Sequence, residues 1–250
     1  MGTDGQRNPN VEVVSNGKAL ARRCVELFAN DANNAIKSKD VFYVAISGGN
    51  SPRQFFELLG KSEEARELSW DKIHLFWVDE RYVRPTSKWS NYKLAADTFL
   101  SKVGIGPKNI HRISTEYSAL DLAARGYEKT IQKVFGLREK QMPQFDLIIL
   151  GMGLEGHMAS LFPGNYAALD TEDLACVVYV EKLSRITLTY PVLRAACHLV
   201  VLVSGEAKAE ILKKVFTSEP DEVLYPIHTL WSVLDKVDWL VDAKAAKFLQ

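Results

Sequence analysis

The sequence predicts an α/β fold, one domain built on a mostly parallel sheet with helices on both faces. Three observations point there. Short apolar, β-branched runs alternate with longer helical patterns along the whole chain. The first run, Val41–Ile46, is too continuously apolar for a half-exposed strand and reads as one buried on both faces. No repeat, low-complexity tract or long Pro/Gly/Ser linker interrupts the series, so its 250 residues read as one unit.

In order, the first element is a helix from Gly17 to about Lys37, with Leu20, Cys24, Leu27 and Phe28 on one face. A strand, Val41–Ile46, follows and breaks at Ser47-Gly48-Gly49-Asn50-Ser51-Pro52, which opens a helix carrying Phe55, Phe56, Leu58 and Leu59. Further strands are predicted at Ile73–Val78, Phe145–Leu150, Val177–Val180, Ile186–Thr189 and Leu199–Val203. Helices are predicted near Asn91–Val103, Ser118–Phe135, Pro191–Ala196, Ala207–Phe216 and Leu230–Val241. Arg84 to Asn91 reads as a surface loop, residues 1–10 as a flexible N-terminus and 11–250 as the single domain.

Charge and cysteine content exclude several classes. Lys+Arg and Asp+Glu both count 31, so no net field favours nucleic acid or an anionic membrane. Binding an anion then requires a local cluster of basic groups and backbone amides. The 3 cysteines lack metal-type spacing and cannot close into a disulfide framework. Cys176 and Cys197 lie in apolar stretches and read as small core residues. There is no membrane-spanning apolar run, no targeting pattern at the N-terminus, and Phe248-Leu249-Gln250 is no peroxisomal address. The expectation is a cytoplasmic protein with no nucleic-acid or membrane partner; the oligomeric state stays open.

In a sheet of this kind ligands sit at the carboxyl ends of the strands, and each unusual motif follows a predicted strand. At Ser47-Gly48-Gly49 the paired glycines allow positive φ and close approach, and the helix start offers amide donors to a phosphate. Alone, the segment reads equally as a ligand-free strand-to-helix turn; it lacks the Gly-Lys-Ser/Thr ending of a nucleotide P-loop. In Asp79-Glu80-Arg81, Asp79 suits a general base or the orientation of one, and Arg81 suits phosphate or carboxylate oxygens. A solvated loop of locally paired charges is the plainer alternative.

Gly151-Met152-Gly153-Leu154-Glu155-Gly156-His157 is the most informative stretch. It spells G-x-G-x-x-G, and Glu181 after the next strand could serve as the ribose acid of a dinucleotide site. Against this, His157 stands where a packed helix should continue, Phe162-Pro163-Gly164 stops any helix, and the motif falls past mid-chain. His157 in a glycine-rich bend with Glu155 two residues before it fits a catalytic base better. Arg185, at a strand mouth, and Lys208, after Ser204-Gly205-Glu206-Ala207, are candidate phosphate ligands that either position alone would leave as surface charges.

Taken in this order, the segments resemble the 6-phosphogluconolactonase family through nearly the whole chain. The pieces are Ser47-Gly48-Gly49, Asp79-Glu80-Arg81, Ser90-Asn91-Tyr92, Gly151-Met152-Gly153 through Gly156-His157 to Pro163, Arg185-Ile186-Thr187 and Gly205-Glu206-Ala207-Lys208. The resemblance implies a modified Rossmann-like fold without a nucleotide, with no cofactor and no metal, acting on a small phosphorylated sugar lactone. It implies hydrolysis of 6-phospho-D-glucono-1,5-lactone to 6-phosphogluconate in the oxidative pentose phosphate pathway. By position, His157 would activate the water, Asp79 would orient the sugar or the base, and Glu155 would be the carboxylate beside His157. Ser47, Gly48, Gly49, Arg81, Arg185 and Lys208 would hold the substrate. The chain departs from the family at Glu155, where Asp is expected, at Leu154, often Pro, at Met158, usually small and polar, and at Asn50. The extra methylene of Glu155 could displace its carboxylate by about one bond length.

Two other readings stand beside this one. Glucosamine-6-phosphate deaminases/isomerases share the fold, but use a glutamate shortly after the histidine, and Met158-Ala159-Ser160-Leu161-Phe162 holds no acid. A non-catalytic sugar-phosphate-binding paralogue or sensor is the other; no basic helix-turn-helix segment adjoins the domain.

Overall fold

The computed structural model describes residues 9–164 and 172–249. Seven strands form one sheet: β1 (Asn10–Val14), β2 (Phe42–Ile46), β3 (Ile73–Trp77), β5 (Ile110–His111), β6 (Leu147–Gly151), β9 (His198–Val203) and β10 (Val237–Asp242). Their spatial order is β1-β10-β9-β6-β2-β3-β5, and every pairing is parallel. β4 (Asp79–Arg81), β7 (Ala175–Val178) and β8 (Arg185–Leu188) make a separate antiparallel sheet in the order β4-β8-β7. The helices are α1 (Gly17–Lys39), α2 (Asn50–Leu59), α3 (Glu63–Arg66), α4 (Asn91–Ala95), α5 (Leu120–Phe135), α6 (Tyr190–Ala195) and α7 (Ala209–Thr217).

Helices cover both faces of the large sheet, as two successive residues of β2 show. Side chains of neighbouring strand residues point to opposite faces. Phe42 meets Phe28 of α1 edge-on at 5.5 Å, whereas Tyr43 stacks on Phe135 of α5 at 4.2 Å. The α1 stripe Leu20, Cys24, Phe28, Ala32 and Ala35 is buried, and the helix is started by Asn16, whose side chain accepts from the amides of Lys18 and Ala19. With both faces covered, β6 and β9 are buried almost without a break, which accounts for their uninterrupted apolar sequence.

Four expectations need correction. Leu230–Val241, read as a helix, is a 3-10 stretch, Pro226–Lys236, followed by β10. Leu230, Leu234, Val237 and Val241 recur at helical spacing, but β10 lies between β1 and β9, where apolar residues are needed on both faces. The strands near 177 and 186 belong to the small antiparallel sheet and not to the main one. Cys197 is exposed in the turn after α6, while Cys24 is buried and Cys176 partly so. The surface loop after Arg84 ends at Ser90 and Asn91, both of which are buried. β1 and the two-residue β5 went unread because edge strands this short and exposed carry little pattern. The flexible segment expected at residues 1–10 falls outside the described residues up to Asn8, and Asn10 already belongs to β1.

Chain direction explains where a ligand can enter. From β2 the chain moves outward through β3 to β5, then returns to place β6 on the other side of β2. The loops after β2 and β6 therefore diverge, leaving a crevice at their carboxyl ends.

Candidate active site

That crevice is a cleft of about 560 Å³, and all nine residues singled out from the sequence line it: Ser47, Gly48, Gly49, Asp79, Arg81, Glu155, His157, Arg185 and Lys208. They arrive from the ends of β2, β6 and β9 and from the small sheet.

The turn after β2 depends on its glycines. A Cβ at Gly48 would lie 2.0 Å from Asn91 Oδ1, so only glycine lets that buried side chain pack on the turn. Gly49 has φ +103 and stands at the N-cap of α2 without a side-chain acceptor for the first amides. The helix start thus keeps its donors for the cleft. Ser47 Oγ is buried without a hydrogen-bond partner among the described residues.

The loop after β6 holds His157, the candidate base. Among the described residues up to Gly164 no helix follows this strand, so the G-x-G-x-x-G spelling lacks the helix N-terminus that a pyrophosphate requires. Instead the loop folds back: Gly153 N donates to His157 O at 2.7 Å, and Met158 bridges to Met152 and Leu161. Gly153 has no room for a side chain, since its Cβ would stand 2.0 Å from His157 Cε1. His157 Nδ1 lies 2.9 Å from Glu155 Oε2, so the longer acid still reaches the ring. Burial pushes the His157 pKa below its usual value, against the opposing pull of Glu155 and Asp79. The ring is consequently neutral near pH 7; the Glu155 contact assigns the proton to Nδ1 and leaves the Nε2 lone pair free.

Asp79 is buried and tied from two sides. Its Oδ2 accepts from Ser160 Oγ at 2.6 Å, and Asn91 Nδ2 donates to its main-chain carbonyl at 2.9 Å. Glu80, next to it, turns the other way. Its carboxylate accepts from the amides of Arg81, Asn91 and Tyr92 and from Ser90 Oγ, fixing the start of α4. Burial raises its pKa despite these bonds. The charge triplet is therefore a short buried strand and not a solvated loop.

Arg81 and Arg185 are directly opposite each other across β4 and β8. Like charges in that register repel, yet neither has an ion-pair partner among the described residues. The Nε of each is buried and unbonded. Arg81 Nη1 is aimed by the Trp89 carbonyl at 2.7 Å, and the Arg185 guanidinium lies over Phe162, whose ring also packs on His157. Burial and Arg81 lower the Arg185 pKa, with Asp79 opposing. Lys208 is half-buried, and burial lowers its pKa too. Arg81, Arg185 and Lys208 make no ion pair among the described residues, although Asp79 and Glu80 act on Arg185 and Glu155 on Lys208 at longer range. With the α2 amides and a neutral imidazole in the same cleft, they make an arrangement suited to an anion.

Sequence reasoning assigned no role to Asn91, Ser160 and Phe162. Asn91 had a signal in Ser90-Asn91-Tyr92, but the contacts of Ser160 with Asp79 and of Phe162 with Arg185 span residues far apart in the chain.

The family model described as glucosamine-6-phosphate isomerases/6-phosphogluconolactonase matches residues 15–239. A protein of Nostoc sp. named 6-phosphogluconolactonase is 36% identical over 235 residues, spanning 94% of this chain and 96% of its own. The crystal structure of a devB protein is 30% identical with a TM-score of 0.85, covering 96% of this chain and 99% of that one. A 6-phosphogluconolactonase structure from Thermotoga maritima is 25% identical with a TM-score of 0.78, covering 93% and 99%.

Proposed function

We infer that this chain, which belongs to the glucosamine-6-phosphate isomerase/6-phosphogluconolactonase family, hydrolyses 6-phospho-D-glucono-1,5-lactone to 6-phosphogluconate in the oxidative pentose phosphate pathway. The observation that carries the mechanism is the pairing, in one cleft, of a histidine whose Nδ1 is engaged by Glu155 with three cations that make no ion pair among the described residues.

The substrate phosphate is held by Arg185, Arg81, Lys208 and the Gly48–Gly49 turn, which fixes the lactone carbonyl in the cleft. His157 Nε2 takes a proton from water as the water oxygen bonds to the carbonyl carbon. The resulting oxyanion is stabilised by the nearby cations. Its collapse breaks the ring C–O bond, and the imidazolium returns the proton to the departing ring oxygen. Glu155 stabilises the imidazolium between these steps, and Asp79, held by Ser160 and Asn91, orients the sugar hydroxyls.

The family description covers isomerases as well, and two observations favour the lactonase. No acid stands between Met158 and Phe162, and the Nostoc relative is named a lactonase. We take residues 11–250 as one lactonase domain acting on a small phosphorylated sugar lactone in the cytoplasm, without nucleic acid. Among the described residues no helix is long and apolar enough to cross a membrane.

The test generates the lactone in situ with glucose-6-phosphate dehydrogenase and follows its decay. The protein should accelerate decay over the spontaneous rate, and His157→Ala should abolish the acceleration while leaving the circular dichroism unchanged. Decay at the spontaneous rate with folded protein would favour the non-catalytic sugar-phosphate binder, and wild-type turnover by His157→Ala would remove the base.

A further inference from the structure

The turn that carries Lys208 is clasped from behind by a buried carboxylate that the mechanism does not use. Asp242 ends β10 and is 3% exposed. Its Oδ2 accepts from Ser204 Oγ at 2.5 Å and Gly205 N at 3.0 Å, and its Oδ1 from Gly205 N at 3.1 Å and Ala245 N at 2.8 Å. Burial works against its ionisation, but these bonds outweigh burial and hold its pKa below the usual carboxylate range. Gly205, with φ +94, then starts a single 3-10 turn, Glu206–Lys208, closed by Lys208 N donating to Gly205 O at 3.0 Å. An exposed ion pair between Glu206 and Lys247 at 2.7 Å ties the same turn to the chain beyond β10.

Two consequences follow. Lys208 makes no ion pair among the described residues, and Glu155 acts on its charge only at longer range, so the place of its ammonium depends chiefly on the backbone beneath it. Ser204 also lines the cleft, but its hydroxyl proton is given to Asp242, so it offers no donor to an anion. Lys208 is the cation this turn presents.

We propose that Asp242 is a positioning residue for the reaction, acting through the Ser204–Lys208 turn to hold the Lys208 ammonium at the anion-binding wall. This rests on the lactonase reading, and the experiment separates the two. Binding of the product, 6-phosphogluconate, is measured by calorimetry for the wild type, Lys208→Ala, Asp242→Asn and the double variant, alongside kcat and KM for the lactone.

Lys208→Ala should weaken product binding by about tenfold, the loss of one charge-assisted hydrogen bond, and Asp242→Asn should weaken it by several-fold. Both should raise KM more than they lower kcat. The decisive result is the cycle: the double variant should bind no more weakly than Lys208→Ala, because Asp242 acts through Lys208. Losses that multiply would overturn the proposal. Asp242→Asn keeps the shape of the side chain and one acceptor oxygen, so the cycle can be run even where Asp242→Ala does not fold. A wild type that binds product without hydrolysing the lactone would fail the function while the cycle still decides the role of Asp242. A wild type that binds no product overturns both.

Discussion

Gly153→Ala probes the proposed base without replacing a charged or hydrogen-bonding side chain. The added methyl carbon would stand 2.0 Å from His157 Cε1, 2.2 Å from Nδ1 and 2.5 Å from Nε2, where ordinary contact begins at 3.4 Å. The ring must therefore retreat by about 1.4 Å, which breaks the 2.9 Å contact with Glu155 and moves Nε2 away from the water that we propose it activates. Misplacement of about 1 Å costs on the order of 100-fold in rate, or about 2.7 kcal/mol in the barrier. The expected outcome is a fall of roughly 100-fold in kcat with KM nearly constant, because the phosphate wall is untouched. Imidazole NMR signals supply the structural readout: the His157 resonances should shift in Gly153→Ala. They should stay in place in Gly151→Ala, whose Cβ would meet nothing within 4 Å. A Gly153→Ala enzyme with wild-type kcat and an unmoved His157 signal would refute the placement of the ring.

Glu155→Gln removes a group that raises the His157 pKa, so the acid limb of the kcat/KM profile, already below the usual histidine value, should move to still lower pH. The plateau should drop by about tenfold or less, since Glu155 is largely exposed and its field is screened; an unmoved limb would detach Glu155 from the base. At the other end of the sheet His198 contacts Asp31 at 2.6 Å and Asp238 at 3.1 Å, one on each ring nitrogen. Burial alone would lower its pKa, but the two carboxylates outweigh burial and raise it. Its stabilisation is then full below about pH 6.5 and lost as pH rises through the raised value. The melting-temperature gap between wild type and His198→Gln should be wider at pH 6 than at pH 9, and parallel curves would count against the clasp. The stacked pair His74 and His111 acts in the opposite sense: burial holds His111 down to about 4, so stability is lost as pH falls from about 6.5 towards that value.

The strands legible in the sequence were those covered on both faces, because their environment demands unbroken apolar residues. β2, β3, β6 and β9 all read correctly to within a residue or two. β10 has the same character, but its apolar residues continue the helical spacing of Leu230 and Leu234, and no local feature separates the two periods. The nine cleft residues were legible because each follows a strand or a break in pattern. What supports them was not. Ser160 lies 81 residues from Asp79, and Asp242 lies 38 from Ser204, so these pairings exist only once the sheet has brought distant strand ends together. Glu80 was illegible for the same reason: within a charged triplet nothing local tells a solvated loop from a buried strand, and only the four donors converging on it show why it is buried.

The facing arginines of β4 and β8 bear on what an inhibitor of this protein must look like. Two arginines stand opposite each other with a buried nitrogen apiece that has no hydrogen-bond partner among the described residues. A neutral mimic of the sugar ring, however well shaped, leaves that repulsion in place and strands those donors behind it. On the proposed reading, a compact dianion should relieve both at once even when it resembles no sugar. Under the proposed function, selectivity in this cleft should be set first by charge count and only then by ring shape, and a screen composed of uncharged fragments should miss it.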